Sequence, residues 1–256
     1  MAGRLGGSKD LLSPHAYTQP EERFRGVPLR IRQRLTLAGW CIKDDALTIK
    51  SSLRLTLVRH GETEWTEKNL LHGRLDSPLS MAGKQHAGMA ASSLAGVTFD
   101  ALYTSPLGRA MQTAAILGKS TGLTPIPLDG LREMDYGWSE GRPMYRVYPN
   151  GNRSSIFRPV MRLMILLSGE RLALFSGRVR SALEELIARH PGGRLLVVTH
   201  WGVLSLLMAL MFEGRPQRWK KYGPWDACGI SDVELKDGIW RPIRLNETRH
   251  LKLHTI

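Results

Sequence analysis

The chain has 256 residues, 42% apolar and 23% charged, which suits one sizeable globular domain with or without an extension. Its 36 Lys and Arg against 23 Asp and Glu give a net charge of +13, of which residues 1–52 contribute +4 and the rest +9. Basic charge spread this way excludes a simple basic tail and favours anionic partners, whether nucleic acid, anionic membrane or small molecule, without choosing among them.

Residues 1–52 are punctuated by Gly3, Gly6, Gly7, Pro14, Pro20, Gly26 and Pro28 and show no sustained period before Leu29. We expect a basic, weakly ordered extension there, and a catalytic domain over 53–256. An arginine-rich leader could address an organelle, but Glu21, Glu22, Asp44 and Asp45 count against a transit peptide. The start lacks the apolar segment of a secretory signal, and no apolar run reaches the ~20 residues that span a bilayer. The expectation is a cytoplasmic protein with no membrane partner. Cys41 and Cys228 form no CxxC pair, so they are expected to be reduced, and no metal-ligand spacing occurs.

The domain opens with a β-rich apolar strand over 53–58 that runs into Arg59-His60-Gly61. Ser80 offers an N-cap for a helix over about 81–95. A short strand over 100–104 leads to Ser105-Pro106 and a second helix over 106–119, with Pro106 placed at its first position. Residues 142–169, rich in Arg, Met and Tyr, break the rhythm and are expected to form a cap. Apolar positions Leu172, Phe175, Val179, Leu183, Leu186 and Ile187 predict a helix over 171–190, stopped by Pro191-Gly192-Gly193. A near-continuous apolar strand over 194–199 and a helix over 203–212 follow. Two final strands, 230–235 and 239–245, flank a hairpin-like turn at Lys236-Asp237-Gly238. This alternation predicts an α/β fold, a three-layer α/β/α sandwich around a mostly parallel sheet.

Parallel strands deliver their carboxyl ends to one edge of a sheet, which is where such folds place their chemistry. Arg59-His60 follows the first strand, Ser105 through Arg109 the second, and Thr199-His200-Trp201-Gly202 the late strand. Leu131-Arg132-Glu133-Met134 lies in a loop before Gly137. Singly, each has a plain reading: a strand-end cap, a solvated arginine, a core histidine, a surface pair of Arg132 with Glu133. Together they make a candidate site of two arginines, two histidines and one glutamate.

These segments closely resemble the histidine phosphatase superfamily, the phosphoglycerate mutase-like proteins, in the branch that carries its acid on a mid-chain loop. The resemblance rests on Arg59-His60-Gly61-Glu62-Thr63, on Gly73 through Ser80 with Gly83, on Ser105-Pro106-Leu107 with Arg109, Ala110, Gln112 and Thr113, on Glu133 with Gly137 and Glu140-Gly141, and on Thr199-His200 with Gly202. It covers about residues 53–256. It implies that His60 is the phosphoryl-accepting nucleophile, that Glu133 is the general acid and base, and that Arg59, Arg109 and a protonated His200 stabilise the transferring group. Thr63, Thr66 and Trp201 would join Arg59, Arg109 and His200 in contacting phosphate or substrate. No metal and no cofactor is implied, because cationic side chains neutralise the phosphate charge.

Three departures stand out. Thr66 occupies a place usually held by asparagine, Trp201 one usually held by a small residue, and the acid-loop tryptophan is displaced to Trp138. The implied function is a metal-independent phosphomonoester hydrolase acting on a small phosphorylated substrate. Arginines of the cap, Arg142, Arg146, Arg153, Arg158 and Arg162, suggest a second anionic group on that substrate. The alternatives are a cofactor-dependent phosphoglycerate mutase-type phosphotransferase and a non-enzymatic basic protein that binds anions or nucleic acid. No nucleic-acid motif supports the last. Gly137-Trp138-Ser139-Glu140-Gly141 fits a Gly-x-Ser-x-Gly elbow, but lacks the strand before it and the helix after it that an elbow needs. A homodimer is an assembly that no motif requires.

Overall fold

The computed structural model describes residues 52–147 and 167–252. The expected extension up to residue 51, with Cys41, and the part of the cap carrying Arg153, Arg158 and Arg162 lie outside the described residues, as does the side chain of Arg146.

Six strands form one sheet: β1 (Leu53–Arg59), β2 (Ala101–Thr104), β3 (Pro125–Pro127), β4 (Gly193–Thr199), β5 (Ile230–Lys236) and β6 (Ile239–Glu247), in the order β3-β2-β4-β1-β5-β6. The first four strands in that order run parallel, and β5 and β6 add an antiparallel hairpin to β1. Three of the five strand pairings are parallel, so the sheet is mostly parallel as expected, and its parallel part carries the site. β3 escapes sequence pattern reading because Pro-Ile-Pro is a poor strand; it survives as a short edge strand, where a missing N–H is tolerated.

The described helices are α1 (Glu64–Glu67), α2 (Met81–Ser93), α3 (Gly108–Thr121), α4 (Met144–Val147), α5 (Leu172–Arg189) and α6 (Trp201–Glu213). Ser80 caps α2 as expected, its hydroxyl accepting from the Gly83 amide at 3.1 Å. α3 begins two residues after Pro106, so the proline precedes the helix instead of opening it. β1 and β4 are buried on both faces and feed two cores. Leu55, Leu57, Leu195 and Val197 pack with α5 and α6. Val58, Leu196 and Val198 pack with Ala87, Ala90 and Ala91 of α2 and Ala110, Ala114 and Leu117 of α3. The result is the expected α/β/α sandwich. Among the described residues no helix is long and apolar enough to cross a membrane.

A backbone contact sets where the first strand's turn lies. A β-carbon on Gly61 would sit 2.7 Å from the Gly83 carbonyl oxygen, and one on Gly83 would collide with the backbone of Glu62. The turn after β1 and the first turn of α2 are thus pressed together through two glycines. A Gly83→Ala variant should lose about 1–3 kcal/mol of stability by overpacking. Gly88→Ala on the same helix, whose new methyl meets nothing within 4 Å, should gain about 0.5–1 kcal/mol. Urea unfolding of the two variants checks both signs.

Candidate active site

Three strand ends meet at one edge of the sheet. The His60 amide donates to the Thr199 carbonyl at 2.9 Å, and the Ser105 amide to the Val198 carbonyl at 3.0 Å. Residues that follow β1, β2 and β4 are therefore held side by side. Arg59, His60, Arg109, Glu133 and His200, singled out from the sequence, feel one another electrostatically across this edge. His60, Arg109, Glu133 and His200 are buried, and the His60 and His200 rings lie 5.1 Å apart.

The His60 ring has a defined proton arrangement. His60 Nδ1 lies 2.8 Å from the Gly61 carbonyl, which can only accept, so Nδ1 carries the proton and Nε2 keeps its lone pair. The Ser105 hydroxyl accepts from the Leu107 amide at 3.3 Å and lies 2.7 Å from His200 Nε2. In the tautomer where the hydroxyl donates to Nε2, the His200 proton sits on Nδ1, a buried ring nitrogen with no partner among the described residues. Burial first, then Arg109 and Arg59, holds His60 well below the usual imidazole range. Burial and Arg109 do the same to His200, so with its protein neighbours it is neutral, unlike the protonated form the resemblance implied.

The two arginines are held differently. Arg59 donates from one terminal nitrogen to the Trp225 carbonyl at 2.6 Å. Arg109, with its side chain fully enclosed, donates to the Gly73 carbonyl at 2.7 Å, to the Leu75 carbonyl at 3.0 Å and to Asp76 at 2.9 Å. The Nε–H groups of both arginines are buried without partners among the described residues. Enclosed, unpaired donors cost about 1–3 kcal/mol each, so Arg59, Arg109 and His200 offer three donors that a phosphoryl group would satisfy.

Glu133 enters from the acid loop. Its carboxylate accepts from its neighbour Met134 at 2.9 Å and from the Gly202 amide in the first turn of α6 at 3.0 Å. A β-carbon on Gly202 would collide with that carboxylate, which explains the glycine two residues after His200. Burial raises the Glu133 pKa above the ordinary carboxyl value against the opposing pull of the two amides and the arginines.

The remaining candidates have structural work. Thr63 and Thr66 cap α1 reciprocally, each hydroxyl accepting from the other's amide. Thr66 therefore supports the turn from which the phosphate contact was expected. Trp201 packs edge-to-face on Trp219 at 5.8 Å and against Gly223, towards the core. Arg142 stacks on Trp138 at 3.7 Å and donates to its carbonyl. Ser139 is buried in a short 3-10 turn with its hydroxyl donated to Tyr136, so the elbow context is absent.

Asp76 and Glu140 were matched only as parts of motifs, without a role, and His72 and Arg178 escaped notice. Asp76 pairs with Arg109, and Glu140 accepts the amides of Arg74, Leu75 and Tyr136 at 2.7–2.9 Å. His72 shares a 2.7 Å hydrogen bond with Thr63, and Arg178 grips the acid loop. Arg178 had a legible signal: it lies within the apolar stripe of α5, three residues after Phe175. Among the described residues no group of three or more His, Cys, Asp or Glu is arranged to hold a metal ion.

The model of the histidine phosphatase superfamily (branch 1) matches residues 55–248. A Yersinia enterocolitica protein named "Probable phosphoglycerate mutase GpmB" is 30% identical over 190 residues, 73% of this chain and 87% of its own. The "Uncharacterized phosphatase PhoE" of Bacillus subtilis is 28% identical over 198 residues, 76% of this chain and 95% of its own. Among solved structures, Bacillus stearothermophilus YhfR superposes with a TM-score of 0.69 at 26% identity, covering 78% of this chain and all of its own.

The imidazoles give a direct check. Their folded pKa values lie below the ~6.5 of an unfolded histidine, so the unfolded chain binds more protons in between and stability falls as pH drops through that range. Ring-nitrogen NMR should find His60 and His200 neutral at pH 6 and His72 titrating near about 4. A charged His60 ring at pH 6.5 would contradict this electrostatic picture.

Proposed function

The chain belongs to the histidine phosphatase superfamily, branch 1, and from that premise we propose that it hydrolyses phosphomonoesters through a phosphohistidine on His60, without a metal ion. The observation that carries the proposal is the His60 tautomer. Donation of Nδ1–H to the Gly61 carbonyl leaves the Nε2 lone pair free, and burial beside two arginines keeps the ring neutral. In the first step Nε2 bonds to phosphorus while the ester P–O bond breaks. Arg59, Arg109 and the Nδ1–H of His200 donate to the phosphoryl oxygens, where charge is spread in the transition state.

Glu133, kept protonated to higher pH by burial, gives its proton to the leaving alkoxide. Its carboxylate then takes a proton from the water that cleaves the N–P bond, which returns neutral His60 and releases phosphate. Arg59 and Arg109 supply the positive charge opposite the phosphate throughout, so no step calls on a metal. Thr63 and Thr66 hold the turn that carries His60, and the substrate is a small phosphorylated molecule.

The relative named as a phosphoglycerate mutase favours a second reading, in which the phosphoryl group returns to a substrate hydroxyl in place of water. Both share the His60 step. Phosphate release from phosphoglycerate without its isomerisation separates them in favour of hydrolysis.

The test is acid-sensitive labelling with a radioactive monoester. Wild type and Glu133→Gln should both give acid-labile phosphohistidine, longer-lived in Glu133→Gln. His60→Asn should give none and lose at least ~10³-fold in p-nitrophenyl phosphate turnover. In kcat/KM for an alkyl phosphate, whose leaving oxygen needs a proton, the acid limb should follow His60 and lie below 6.5, and the alkaline limb should follow Glu133 and lie above 4.5. Glu133→Gln should remove the alkaline limb. Label retained in His60→Asn sinks the proposal.

A further inference from the structure

The acid loop is gripped on its main-chain side by a residue outside the pocket. Arg178 of α5 sends one terminal nitrogen to the carbonyls of Gly130 at 3.0 Å and Arg132 at 2.6 Å, and the other to the carbonyl of Glu133 itself at 2.9 Å. The guanidinium is half-buried over the Phe175 ring, its centre 4.8 Å from the ring centroid. Glu170 fixes it from behind, accepting from Nε at 2.7 Å and from a terminal nitrogen at 2.8 Å. Glu170 also accepts from the Asp135 amide at 3.4 Å, so the pair closes on the loop on both sides of Glu133.

We propose that Arg178 is a positioning residue for Glu133, aiming its carboxyl at the leaving group by collecting the carbonyls of residues 130, 132 and 133. This rests on the reading of Glu133 as general acid. A loop of this kind has no ladder to fix its path, and three carbonyls turned the same way need a donor with a fork. The carboxyl is pinned from the opposite side by the Gly202 and Met134 amides. Release of the main chain on the Arg178 side would let the carboxyl swing. A displacement of about 1 Å at a catalytic group costs on the order of 10²-fold.

A lysine cannot reproduce the fork, so Arg178→Lys and Arg178→Gln should both be impaired. The readout is dependence on the leaving group. The constant kcat/KM reports the first irreversible step, transfer to His60, in which a phenyl or alkyl oxygen needs a proton and p-nitrophenolate does not. We expect kcat/KM for an alkyl phosphate to fall ~10²-fold in Arg178→Lys while that for p-nitrophenyl phosphate changes by less than about fivefold. Glu133→Gln should show the same selectivity, and adding Arg178→Lys to it should cost little more.

Equal losses on both substrates, or additive losses in the double variant, overturn the proposal and leave Arg178 as a general support of the fold. Lack of selectivity in Glu133→Gln itself would instead overturn the acid role of Glu133. If Arg178→Lys does not fold, Glu170→Gln, which frees the guanidinium but removes none of the three carbonyl contacts, carries the test. A selective loss for the alkyl phosphate supports the proposal, and an unselective one overturns it.

Discussion

Arg109 has its whole side chain out of water, and a guanidinium in that position must find acceptors for every N–H that does not meet substrate. The Gly73 and Leu75 carbonyls and the Asp76 carboxylate supply them, which dictates the path of the loop between α1 and α2. The amides of that loop turn the other way, onto Glu140. Glu140 also takes the Tyr136 amide, so it binds the arginine's loop to the acid loop. From Arg109 outward, hydrogen bonds run unbroken to the segment that carries Glu133.

The same burial sets the protonation states. Burial of His60 and His200 disfavours their charged forms, and two enclosed positive charges beside them discourage a third, so both pKa values are held well below the usual imidazole range. Glu133, close to the same arginines, would be driven to ionise by them alone. Desolvation outweighs them there, and the Glu133 pKa is raised above the ordinary carboxyl value. One pocket thus shifts imidazoles down and a carboxyl up, burial being the largest cause of each shift; the arginines add to the first and oppose the second.

Much of this was legible in the chain. The strands over 53–58 and 194–199 announce themselves by continuous apolar character, because parallel strands are buried on both faces. Once they are placed side by side, His60 and His200 must meet. Ser80 as an N-cap was legible for the same local reason. What was hidden depends on loops: Glu133 carries no periodic signal, and although it was gathered into the candidate cluster, its role as acid was implied only by the resemblance. Thr66 reads as a spare hydroxyl until the backbone shows it capping Thr63, and Trp201 reads as a pocket residue until Trp219, far along the chain, is packed against it. Arg178 was readable as a charge set within an apolar stripe, but nothing in the sequence says which carbonyls it would meet.

The edges of the sheet bear on how the molecule meets its own kind. β3 presents Pro125 and Pro127, and the opposite edge strand, β6, contains Pro242 and pairs with β5 through an irregular register. Neither edge offers an uninterrupted row of amides to an incoming strand, the usual template for edge-to-edge aggregation. Among the described residues, a strand added at either edge would meet a proline in its ladder, so the sheet is better suited to carry the residues at its strand ends than to extend itself into a neighbour.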